Sequence, residues 1–255
     1  MASTNPRRAP FPGALPASAW LRPFCADFED LEIDLDAADP LLASRAIVHR
    51  CTQQVGEQVD LDALPVSDRV RALLVVTDLT GGTATVQHSC TACGELLELP
   101  LPLRDIAERT PRSAPQLSLS RDGSSWKLRL PTTRDQLGWT RRTSRADALR
   151  GLVVEGPADA ATDDAWCEAV DARFAEHDPL VDFTISTACP ACRHPTRIEV
   201  DLEALAIAAL RRHRGELLWI VHRLALAYHW DEATILGLPA DRRRVYLAMI
   251  EESGA

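Results

Sequence analysis

The chain has 255 residues, 46% of them apolar, so it can bury a core of its own as one large domain or two small ones. A formal net charge of −9 argues against a general affinity for phosphate backbones. No apolar run approaches the roughly 18 residues of a membrane span. Arg7-Arg8 is not followed by the apolar stretch of a secretory signal, so a cytoplasmic protein is expected.

In chain order, the first signal is proline. Pro6, Pro10, Pro12, Pro16 and Pro23 mark residues 1–23 as a flexible, Pro-rich arm. Trp20 and Phe24 near its end could anchor it on its own domain or on a partner. Residues 24–255 read as a single α+β domain. Asp39-Pro40 opens a helix, with Asp39 as N-cap and Pro40 in the first turn. A second helix starts near Ser67, with Val70, Leu73 and Leu74 on one face, and Gly81-Gly82 ends it. Leu101 to Glu108 suits a further short helix. Leu117–Ser120 and Trp126–Leu130 are strand-like and are joined by Arg121-Asp-Gly-Ser, a hairpin signal. Thr132 or Thr133 caps the next helix, and two more are expected near 144–153 and 161–177, before Asp178-Pro179 breaks the pattern. The C-terminal third is helical. Leu202, Leu205, Leu210, Leu217, Leu218, Val221, Leu224, Ala225 and Tyr228 mark an apolar face, with a possible break at Gly215. Shorter helices start at Asp231 and Asp241.

The most specific signal is a pair of Cys-x-x-Cys motifs, Cys90-Thr-Ala-Cys93 and Cys189-Pro-Ala-Cys192. Each ends one strand-like run and precedes another. Ala84-Thr-Val-Gln-His-Ser and Leu96-Leu-Glu-Leu flank the first, in a unit spanning 83–100. Val181-Asp-Phe-Thr-Ile-Ser and Arg197-Ile-Glu-Val flank the second, in a unit spanning 181–202, and the helical part fills 203–252. Two residues of spacing let both sulfurs of a turn reach one ion, so each knuckle supplies half of a tetrahedral four-cysteine site. The expectation is one structural Zn2+ on Cys90, Cys93, Cys189 and Cys192, a zinc-ribbon-like arrangement in which the two units meet in space. A thioredoxin-type redox pair is the competing reading of either motif, but such a pair stands at a helix N-terminus and these lead into strands. His88 and His194 are nearby alternative ligands. Cys25, Cys51 and Cys167 read as buried or idle thiols.

Four thiolates leave a metal no open position, and there is no P-loop, Gly-x-Gly-x-x-Gly or Gly-x-Ser-x-Gly, so no enzyme is expected. His222 and His229 lack the His-Glu-x-x-His arrangement. Arg242-Arg243-Arg244 reads as a solvated helix start.

Residues 222–251 run from His222-Arg-Leu-Ala through Tyr228-His-Trp to Leu238-Pro-Ala-Asp-Arg-Arg-Arg-Val-Tyr-Leu. This segment resembles the ending of a family of phage-type baseplate proteins of contractile tails and contractile injection systems, the T-even phage baseplate hub assembly type. Leu64-Pro-Val-Ser-Asp-Arg, Cys90-Thr-Ala-Cys-Gly-Glu, Arg129-Leu-Pro-Thr-Thr-Arg-Asp and Asp178-Pro-Leu-Val-Asp-Phe resemble further family segments in order, so roughly residues 40–252 are covered. The chain departs from the family at Leu205-Ala-Ile-Ala-Ala-Leu, where many relatives carry aromatics, and at His229, where glycine is frequent. The resemblance implies a structural or assembly protein that binds other baseplate, hub, spike or wedge proteins. Trp230, Asp231, Arg243 and Tyr246 are the candidate partner patch. The other expectations are an assembly chaperone absent from the finished particle and a zinc-ribbon nucleic-acid-binding regulator. Nucleic acid is disfavoured because Glu95 and Glu98 flank the first knuckle and Arg193 and Arg197 only the second.

Overall fold

The computed structural model describes residues 8–12, 19–36, 39–54, 58, 60–139, 143–157 and 163–252. Its first strands lie inside the segment expected to be a flexible arm. β1 (Ala9–Pro10) pairs with β2 (Ala19–Leu21), which pairs with β3 (Thr52–Gln54), all antiparallel. Ala9, Phe11, Ala19 and Leu21 are buried, so here the arm reading is corrected: apolar residues between the prolines reach the core. Pro10 lies on an edge strand, where its missing N–H costs no ladder bond. Residues 1–7 and 13–18 of that segment fall outside the described residues. Phe24 is buried in the chain's own core. Behind β2, the Arg22 guanidinium grips Asp30 through two hydrogen bonds of 2.6 and 2.8 Å, pairing two charges that burial would otherwise make costly.

Helix α1 (Pro40–Cys51) starts as its sequence predicts, with Asp39 accepting the Leu41 N–H at 3.0 Å. α2 (Val66–Thr80) is the central helix. It is buried on almost every side, and Gly81 ends it in the left-handed conformation (φ +85°). Two of its buried side chains are arginines with assigned work. Arg69 reaches Thr133, Gln136 and Glu203. Arg71 donates to the carbonyls of Ala107, Thr110 and Pro111, at the end of the helix that follows the first hairpin.

That hairpin is β4 (Ala84–Ser89) with β5 (Leu96–Leu101), followed by α3 (Leu103–Arg109). Next, β6 (Gln116–Arg121) and β7 (Ser124–Arg129) are joined by Asp122-Gly123, both at positive φ (50° and 76°), which matches the right-handed twist of a two-residue hairpin. α4 (Thr133–Gly138) carries a reciprocal cap between Thr132 and Asp135. α5 (Arg145–Arg150) leads into β8 (Val153–Glu155), a third strand beside β7 that the sequence reading lacked. α6 (Asp164–His177) packs its fully buried Trp166 edge-on against Trp126 at 6.3 Å. The second hairpin follows, β9 (Thr184–Ala188) with β10 (Pro195–Glu199).

α7 (Leu202–Tyr228) is a 27-residue helix, about 40 Å long at 1.5 Å per residue. Leu202, Ala206, Ile207 and Leu210 on its first half pack in the main core with α1 and α2. Leu217, Val221 and Leu224 on its second half pack with α8 (Glu232–Leu236) and α9 (Ala240–Glu252) through Ile235 and Ile250. The helix runs through Gly215 without the expected break. Packing at both ends outweighs the poor helix propensity of one glycine. The result is an α+β fold of helices and small antiparallel sheets.

A Cβ at Gly215 would meet nothing within 4 Å. Gly215→Ala is therefore expected to stabilise the protein by about 0.5–1 kcal/mol, seen as a higher urea midpoint at unchanged slope.

Candidate metal centre

The two knuckles are built alike, residue for residue. In the first, the Cys90 N–H donates to the Glu95 carbonyl and the Gly94 N–H to the Cys90 carbonyl, each at 2.8 Å. In the second, the Cys189 N–H donates to the His194 carbonyl at 2.9 Å and the Arg193 N–H to the Cys189 carbonyl at 2.8 Å. Both turns need a left-handed residue directly after the second cysteine. Gly94 meets that need at φ +76°, whereas Arg193 adopts φ +60° at a cost of order 1 kcal/mol. In the sequence Arg193 stands out only for its charge, although aligning the two units places it opposite Gly94 and so marks its backbone role.

The four sulfur atoms converge. Cys90 Sγ lies 3.7 Å from Cys192 Sγ, Cys93 Sγ lies 3.7 Å from Cys189 Sγ, and all four lie within 4.8 Å of one another. A disulfide needs about 2.05 Å, and all of these cysteines are free. Tetrahedral metal–sulfur bonds of about 2.3 Å put sulfurs about 3.8 Å apart. The cluster therefore already has nearly the dimensions of a tetrathiolate cage and can hold a metal ion. Neither His88 nor His194 belongs to it. His194 serves through its backbone carbonyl, and the His88 Nε2 is buried without a hydrogen-bond partner among the described residues.

Burial divides the set in two. Cys90 and Cys189 are 3% and 1% exposed and pack with Leu97, while Cys93 and Cys192 face solvent. Below the knuckles, Val86 and Leu99 of the first hairpin and Ile185 and Ile198 of the second join the main core. Each hairpin is thus held at its turn by cysteines and along its strands by apolar packing.

The electrostatics favour exchanging protons for a cation. The Ala92 and Cys93 amides pull the Cys90 thiol down to about 7. The Glu95 amide acts in the same direction on Cys93, but contact with Cys192, Cys189 and Cys90 outweighs it and pushes that thiol up to about 12. Four sulfurs this close cannot all ionise without a countercharge, and a bound cation supplies one while releasing protons.

The other thiols lie apart from this cluster. Burial pushes Cys25 up to about 12 and Cys51 higher, which suits inert thiols.

The candidate partner residues sit at the far end of α7, and each makes contacts within the chain. Trp230 stacks on Tyr228 at 4.7 Å and meets Tyr246 edge-on at 5.2 Å. Asp231 caps α8 by accepting the Thr234 N–H at 2.6 Å, and that bond holds its carboxyl below the usual range. Arg243 donates to the Leu236 carbonyl at 3.1 Å, tying α9 to the end of α8. Large apolar side chains remain outward on α7 and α9, namely Trp219, Leu226, Val245 and Met249.

No helix among the described residues is long and apolar enough to cross a membrane. Comparison with protein-family models, curated proteins and solved structures finds no match to this chain.

A strong chelator is expected to lower the melting temperature of the wild-type protein. Cys90→Ser should reproduce that loss and become insensitive to the chelator, because the same contribution of several kcal/mol has already been removed. Equal melting with and without chelator would show that the cluster works without a metal.

Proposed function

We propose that this chain is a structural or assembly protein of a contractile-tail or injection-system baseplate, acting by protein–protein binding around a structural zinc site. The observation that carries the proposal is the convergence of Cys90, Cys93, Cys189 and Cys192 from two matching hairpins. All-sulfur tetrahedral donors suit zinc, and a closed set of four offers a metal no position for substrate or water. The site would fasten a zinc-ribbon-like pair of hairpins, so that binding rests on the surfaces they brace.

The family resemblance supplies the context. Its most specific segment, 222–251, forms the second half of α7 with α8 and α9, and the motif residues Tyr228, Trp230 and Tyr246 form the aromatic cluster that packs these helices together. A rigid helical cap with outward Trp219, Leu226, Val245 and Met249 suits docking to a neighbouring subunit better than it suits turnover.

Contractile particles purified from the host and analysed by mass spectrometry are expected to contain this chain at a fixed ratio to spike or wedge proteins. Its presence only in the soluble lysate, with assembly failing on gene deletion, would make it an assembly factor. Particles that assemble normally without the gene would refute both roles.

A further inference from the structure

Two of the clustered thiols are open to solvent and two are not. Cys93 and Cys192 are exposed, whereas Cys90 and Cys189 are buried. Each sulfur contact at 3.7 Å joins one of each kind and crosses from hairpin to hairpin, Cys192 to Cys90 and Cys93 to Cys189. An accessible sulfur with a second one in contact behind it is the arrangement in which an oxidised cysteine is trapped as a disulfide. Bringing either pair to the roughly 2.05 Å of an S–S bond is a short movement. The other thiols offer no such pair to an oxidant. Cys51 and Cys167 are buried, and burial pushes Cys25 up to about 12, so none of them presents a reactive thiolate.

We infer that the cluster is also a site of oxidative modification, where a peroxide converts it to two disulfides, Cys90–Cys192 and Cys93–Cys189. At each pair the exposed thiolate attacks one peroxide oxygen. The O–O bond breaks, hydroxide leaves and a sulfenic acid forms. The buried thiolate then attacks that sulfur, the S–O bond breaks, and a second hydroxide leaves as the S–S bond forms. Two thiolates lose two electrons, one peroxide gains them, and two solvent protons turn the hydroxides into water.

Repeated at the second pair, the reaction leaves no thiolate for a metal, so a bound ion is released while the hairpins stay fastened to each other. The closure that a metal gives in reducing surroundings then passes to covalent bonds in oxidising ones. This inference rests on the metal-centre reading only for the fate of the ion. The choice of bridges rests on the sulfur contacts alone.

The test uses the full-length protein, with its zinc content measured beforehand. Hydrogen peroxide is added beside a zinc-responsive dye, remaining thiols are alkylated, and unreduced tryptic peptides are identified by mass spectrometry. Two thiols are expected to disappear per peroxide consumed until four are gone, with zinc appearing in step. The peptide carrying Cys90 and Cys93 should be joined to the one carrying Cys189 and Cys192. Fragmentation between Cys90 and Cys93 should assign the bridges Cys90–Cys192 and Cys93–Cys189, and Cys25, Cys51 and Cys167 should be recovered alkylated. With chelator present throughout, the oxidised protein should melt higher than the reduced one. A chain purified without zinc would refute the metal reading alone, and the peptide masses would still decide the linkage. Bridges within either knuckle, bridges to Cys25, Cys51 or Cys167, sulfinic acid at Cys93 and Cys192 without bridges, or thiols that survive the peroxide would overturn the proposal. So would an oxidised protein that melts no higher than the reduced, metal-stripped one.

Discussion

The architecture depends on a closure between two points far apart in the chain. Cys93 and Cys189 are separated by 95 residues, yet their sulfurs lie 3.7 Å apart. Closing so long a loop is entropically unfavourable, although the cost grows only slowly with length. The intervening chain offsets much of it by forming a core of its own, with β6, β7, α5 and α6 packed around Trp126 and Trp166. The two hairpins then meet with their apolar faces already committed to the main core, and a metal bound to the four thiolates would complete the closure. In this account the ion stabilises a contact that packing has begun, unlike a small zinc finger that has little structure without it.

α7 carries the consequence of that closure across the molecule. It leaves the second hairpin at Asp201, whose side chain caps its N-terminus, and crosses the main core before reaching the C-terminal cap. Its first turn is tied to the central helix by the Arg69–Glu203 ion pair at 3.0 Å, most of which is shielded from water. Arg211 and Arg214 then donate to the carbonyls of Leu35 and Ile33, fixing the helix to the N-terminal region. A single helix thus sets the C-terminal surface relative to the metal centre. Loosening the knuckles should disturb that surface as well as the hairpins.

Local chemistry was well written in the sequence. Asp39-Pro40, Thr132 with Asp135, Asp122-Gly123 and the two separate Cys-x-x-Cys turns each act within a few residues, and each forms the local turn or cap its spacing predicts. Features set by distant partners were harder to read. The N-terminal sheet depends on β2 meeting β3, some thirty residues on, and prolines disguised its edge strand as an arm. β8 is three residues long and gains strand character only beside β7. Gly215 looked like a helix break because propensity is local, whereas its helix is held by packing on both sides. The internal contacts of Trp230 and Tyr246 depend on how α7, α8 and α9 fold back on one another.

Four cysteines from two hairpins stand close enough to hold one metal ion, and we propose that this ion is zinc. Metal analysis of the purified full-length protein, combined with X-ray absorption at the zinc edge, tests it most directly. One zinc per chain is expected, with four sulfur neighbours at about 2.3 Å and no nitrogen or oxygen in the coordination shell. A protein purified folded without metal, or a zinc ion with fewer than four sulfur neighbours, would contradict it.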